Sequence, residues 1–77
     1  MKRFLEVIPG VFVSTRRIET IEVHEHGDAD WQILIFTDIR DDSGKAIVYV
    51  YNHQIFTDRE AAMIKLAEIV GRYGGEA

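Results

Sequence analysis

The stretch WQILIFTDI, residues Trp31 to Ile39, decides how this chain folds. At the two-residue period of a strand, Trp31, Ile33, Ile35 and Ile39 share one face while Leu34 and Phe36 stand on the other. Both faces of this strand therefore call for cover. Downstream, RDDSGK is a turn in which Gly44 can take positive φ. AIVYVYN then forms a second strand of the same kind, with Ala46, Val48 and Val50 on one side and Ile47, Tyr49 and Tyr51 on the other.

Upstream, GDAD supplies a turn, and IETIEVHEH before it alternates. Ile21, Val23 and Glu25 point one way, and Thr20, Glu22, His24 and His26 the other. Ile18 is out of phase with Ile21 and Val23, so either the strand proper starts near Thr20 or a bulge separates them. Further back, RFLEVI sets Phe4, Glu6 and Ile8 against Leu5 and Val7, Pro9-Gly10 breaks the run, and VFVST resumes it.

The last element is helical. Thr57-Asp58-Arg59-Glu60 fits a capping box, in which Thr57 accepts from the amide three residues on and Glu60 reaches back. Ala62, Leu66, Ile69 and Tyr73 form a narrow stripe that Met63 and Val70 widen, while Lys65, Glu68 and Arg72 cluster opposite. Glu68 and Arg72 are spaced for an i,i+4 pair, and Gly74 or Gly75 suits the helix stop. Ile64 falls on the solvated side.

These readings predict an α+β domain over 1–77: strands over 3–8, 11–14, 18–26, 31–39 and 46–52, and a helix over 58–73. Three main strands form an antiparallel meander, because short turns make sequential strands antiparallel neighbours. One or two short N-terminal strands precede it, and the C-terminal helix lies across one face. A single helix covers one side only, which leaves a large apolar face expected to be built from some of Leu34, Phe36, Ile47, Tyr49 and Tyr51. Burying a Phe or Leu side chain gains roughly 1.5–3 kcal/mol, so leaving this set wet forfeits stability comparable to a small domain's whole margin. Two covers present themselves: the N-terminal strands curling over the face, or association through the face or a free strand edge.

Composition narrows the function. At 77 residues, 47% hydrophobic and 29% charged, the chain is close to the size at which one core is only marginally stabilising, and a partner chain helps. It has no cysteine, which excludes disulfides, thiolate nucleophiles and cysteine-ligated metal. MKRFLEVIPG lacks the apolar run of a signal peptide and no segment has the length of a membrane span, so a cytoplasmic location is expected. The formal charge of −4 disfavours nucleic acid, for which Lys2, Arg3, Arg16 and Arg17 are the only basic grouping.

His24 and His26, two apart on one strand face, sit about 6.5–7 Å apart at their Cα atoms, a spacing that can clamp one metal ion. Glu22, Asp28 or Asp30 would have to complete the set for zinc, nickel or ferrous iron. The alternative is a polar strand face running into a turn, or a pH-sensitive surface patch. Asp38, Asp41 and Asp42 lack the alternate ligand spacing of a calcium loop and read as a hairpin turn. His53 has no nucleophile or paired acid tied to it by a local motif, and GGEA is a tail rather than a phosphate loop.

The order RRIETIE, acidic turn, WQILIFT, glycine turn, AIVYVYN and TDREAAMIKLAEIV resembles that of very small bacterial meander-plus-helix proteins, among them the flagellar FlbD-type family, over about Val11 to Val70. The resemblance implies the fold and offers no catalytic residues. MKRFLEVIPG and the longer turn RDDSGK depart from the family's pattern, so its flagellar role is not carried over. The expectation from the sequence is a non-enzymatic protein–protein interaction or assembly module, acting as a homo-oligomer such as a dimer or as an accessory subunit. No cofactor, small-molecule substrate or membrane partner is expected; metal binding at His24 and His26 and weak nucleic-acid binding are the alternatives.

Overall fold

The computed structural model describes residues 3–71. The elements run β1 (Phe4–Ile8), β2 (Val11–Ser14), β3 (Ile18–His26), β4 (Asp30–Arg40), β5 (Ala46–Val50) and α1 (Arg59–Ile69). β1 and β2 pair as one antiparallel hairpin, and β3, β4 and β5 form a three-stranded antiparallel meander with β4 at its centre. This is the expected α+β architecture. The hairpin turns at Pro9-Gly10, where Gly10 has φ +84° and its N–H donates to the Glu6 carboxylate at 3.0 Å. Leu5, Val7 and Val13 face inward and are buried; Phe4, Glu6 and Phe12 face outward.

β3 contains Ile18, and its register against β4 slips between Ile18 and Thr20. Of the two readings of Ile18, the bulge is the one observed. A second irregularity lies between β4 and β5, where pairing passes from Phe36 opposite Val48 to Arg40 opposite Ala46. Extra backbone on β4 has to be satisfied there, and Thr37 does so. Its hydroxyl donates to the Ile47 carbonyl at 2.7 Å and accepts from the Ile39 N–H at 3.2 Å.

β5 is shorter than the predicted 46–52. After Val50 the chain enters a 3-10 turn, Tyr51–His53, in which Asn52 and His53 take left-handed φ of 55° and 52°. It then returns to β4, where Phe56 and Trp31 exchange two backbone hydrogen bonds of 2.8 Å.

The helix begins one residue later than the capping box implies. Asp58, not Thr57, is the N-cap, its carboxylate accepting from Ala61 N–H at 2.8 Å. A carboxylate at this position complements the positive helix end as well as its free amides, which a threonine hydroxyl does less well. Arg59 lies over the Trp31 ring, 5.9 Å from its centroid, tying the first turn to the start of β4. Ala62 and Ile69 are buried and Leu66 half-buried as predicted, but Met63 and Val70 are exposed and do not widen the stripe. Lys65 is half-buried rather than opposite the core, with its ammonium 3.3 Å from Glu68. The predicted Arg72 and Tyr73 contacts and the glycine stop at Gly74 or Gly75 lie outside the described residues.

Leu5, Val7, Val13, Ile33, Ile35, Phe56, Ala62 and Ile69 form the core. The helix touches β3 and β4, while β1 touches β5 and the turn after it. Helix and hairpin therefore share one face of the meander. This corrects the expectation that the N-terminal strands could curl over the opposite face. The physical reason is coverage: an eleven-residue helix is only about 16 Å long. Its neighbour on the same face must be supplied by Leu5, Val7 and Val13 of the hairpin.

Candidate functional site

The side of the meander away from helix and hairpin carries the positions of opposite phase to Ile33 and Ile35. The register defines it: Glu22 opposite Leu34 opposite Val50, and Thr20 opposite Phe36 opposite Val48, with His24 opposite Gln32. Leu34, Phe36 and Val50 are half-buried, and Val48 is 45% exposed. The face thus has an apolar stripe on β4 and β5 and a polar one on β3.

The expected surface of Leu34, Phe36, Ile47, Tyr49 and Tyr51 is divided by this register. Leu34 and Phe36 are on the open face. Tyr49 is opposite Ile35 and packs on the core, as does Tyr51. Ile47 has the parity of Tyr49 and offers its carbonyl to Thr37. The open face takes Val48 and Val50 instead.

The polar stripe leans onto the apolar one. His24 Nε2 lies 2.8 Å from Glu22 Oε1, and Thr20 Oγ1 donates to Glu22 Oε2 at 2.8 Å. The His24 ring sits 6.0 Å from the Phe36 ring, tilted by 51°. Those contacts, the hydrogen bond with His24 first and that from Thr20 second, hold the Glu22 carboxyl below the usual carboxylate range. His24 and His26 are on the same exposed strand end as predicted. Among the described residues, however, no group of three or more His, Asp or Glu side chains is placed to share an ion. His24 is engaged by Glu22, and His26 stands opposite Asp30 at the last pair of the ladder.

The other chemical candidates resolve similarly. The Asp41 carboxylate accepts from Ser43 N–H, Ser43 hydroxyl and Lys45 N–H at 2.9, 2.6 and 3.1 Å, which makes RDDSGK a hydrogen-bonded hairpin turn. Of the basic grouping, Lys2 lies outside the described residues, Arg3 offers its carbonyl to Thr15 N–H at 2.9 Å, and Arg17 is held by Asp38 at 2.6 Å. A surface depression at the start of α1 is open to solvent and lined by Asp58, Arg59, Glu60, Ala61 and Ile64. Asp58 is already committed there to the cap and Arg59 to Trp31. No helix among the described residues is long and apolar enough to cross a membrane. No protein-family model, curated protein or solved structure matches this chain.

Proposed function

We propose that this protein is a non-enzymatic protein–protein interaction module, acting as a homo-oligomer or as an accessory subunit, whose working surface is the open face of the meander. The observation that carries this reading is the placement of Leu34, Phe36, Val48 and Val50 on a side that neither the helix nor the hairpin covers. The β3 edge is the less suitable surface, because that strand carries Glu19, Glu22 and Glu25, and charge along an edge discourages pairing with another strand.

Size sets the expected strength. Three strands about 4.8 Å apart and about five residues at 3.3 Å each span roughly 15 by 17 Å. A contact of that extent belongs to the small class, under about 1,200 Å² in total, typical of weak or transient association. Completing the burial of four half-exposed aliphatic and aromatic side chains gains a few kcal/mol per copy, against an association cost of about 4–15 kcal/mol. The expected dissociation constant is in the micromolar range or weaker.

Sedimentation equilibrium from about 10 to 500 µM tests this, comparing the wild type with Val48→Lys. Val48 is 45% exposed, so the lysine is accommodated in the monomer. Self-association that the substitution abolishes supports the reading. A chain that is monomeric throughout, or a dimer indifferent to Val48→Lys, removes the self-associating form of it.

A further inference from the structure

We propose that the partner for this face is a second copy seated with like stripe on like stripe, the two meanders running in opposite directions, and that closure takes up a proton at Glu22–His24 of each copy. The inference rests on the open face being the working surface. Its basis is the segregation of that face, with Thr20, Glu22 and His24 along β3, and Leu34, Phe36, Val48 and Val50 along β4 and β5.

Two copies can meet face to face about a two-fold axis along the strands or across them. An axis along the strands lays β3 over the other copy's β5, setting Glu22 and His24 against Val48 and Val50. That sets a charge against aliphatic side chains and leaves the two apolar stripes out of register, which is unfavourable. An axis across the strands sets β3 over β3 and the apolar stripes over each other. The apolar stripes cover each other only in that orientation.

In that arrangement two Glu22 carboxylates approach at the rim of the contact. Leu34 is the cross-strand neighbour of Glu22, so whatever hides Leu34 also removes water from the carboxylate. The charges facing His24 are few. Glu22 is 2.8 Å away on its own strand, and His26 lies two residues on. From β4 come uncharged Gln32 directly opposite, the Phe36 ring, and Asp30 opposite His26; β5 presents only Val48 and Val50, and helix and hairpin lie behind the sheet. With the imidazole neutral each copy therefore brings a net negative pair, and with it protonated a neutral one. Protonation of the imidazole removes that net charge, so association strengthens as the solution is acidified.

Sedimentation at pH 8.0 and 5.5 reads the linkage. The dissociation constant is expected to be about tenfold tighter at pH 5.5 in the wild type. His24→Gln should lose most of that dependence, and Glu22→Gln should tighten association at pH 8.0. The chain's overall charge of −4 also diminishes on acidification, so the comparison of wild type with His24→Gln decides. Orientation is read independently. The chain has no cysteine, so Ala29→Cys in the exposed β3–β4 turn accepts a single nitroxide. An axis across the strands puts the two labels on the order of 40 Å apart, one along the strands about 15 Å. A dimer whose affinity ignores pH, a His24→Gln variant that keeps the full dependence, or labels near 15 Å overturns this inference and leaves the working surface standing. Absence of any dimer at either pH overturns this inference together with the self-associating form of the proposed function.

Discussion

Thr37→Val is the sharpest test of how the meander is held. Thr37 is 1% exposed and is a buried polar residue within an otherwise apolar row. Its hydroxyl bridges the irregularity between β4 and β5, donating to Ile47 C=O at 2.7 Å and accepting from Ile39 N–H at 3.2 Å. Valine has the same shape without the hydroxyl, so both backbone groups lose their side-chain partner. An unsatisfied buried polar group costs about 1–3 kcal/mol. Both groups are part-buried and so regain some water, while the added methyl returns about 0.8 kcal/mol of burial. The net loss is about 2 kcal/mol, which for a domain of this size lowers Tm by roughly 10 °C. Thr37→Ser keeps the hydroxyl and loses a methyl, costing about 1 kcal/mol. Thermal and urea denaturation at low micromolar concentration should therefore rank wild type above serine above valine, with faster hydrogen exchange at the Ile39 amide in the valine variant. A valine variant as stable as the serine variant, with Ile39 exchange unchanged, would refute the bridging role.

Other outcomes follow from the same geometry. Asp58→Ala should cost about 1 kcal/mol of stability in a denaturation experiment, and Thr57→Ala little, because Asp58 holds the cap. His53→Gly should leave stability unchanged or raised, since a non-glycine residue in left-handed φ carries about 1–2 kcal/mol of strain that offsets glycine's entropic penalty of about 0.5–1 kcal/mol; a clear loss, read from the urea midpoint, would mean that the imidazole holds the turn. The Asp41 carboxyl is held below the ordinary aspartate value of 3.8 by its hydrogen bonds, Ser43 first and Lys45 second. Its contribution is present above that value and lost as pH falls through the depressed one, so the stability gap between wild type and Asp41→Ala should close on acidification.

How much of this was legible in the sequence depended on the length over which a pattern repeats. The double-faced alternation of Trp31–Ile39 identified the central strand, and the turns at Gly27 and Gly44 fixed the meander around it. Alternation within each strand does not say which face of β4 continues into which face of β5, and Leu34 and Phe36 do not share a side with Ile47, Tyr49 and Tyr51. A parity argument recovers it: Arg40 pairs with Ala46, so even-numbered residues of β4 meet even-numbered residues of β5. The slip at Thr37 keeps that parity, because Phe36 meets Val48. Leu34 and Phe36 therefore belong with Val50 and Val48. The destination of the hairpin was not legible, because the inward row of Leu5, Val7 and Val13 shows that it needs a surface without saying which one. The helix cap was displaced by one residue because Thr57 and Asp58 are adjacent capping residues and local pattern does not rank them.

The central claim is that the uncovered face of the meander is where this protein meets its partner copy. Dilution of an isotope-labelled sample from about 1 mM to 20 µM at pH 6, followed by amide and methyl chemical shifts, tests it most directly. Concentration-dependent shifts confined to Glu22, His24, Leu34, Phe36, Val48 and Val50 are expected. Shifts centred instead on the exposed Phe4 and Phe12 of the hairpin, or none at all, would contradict it.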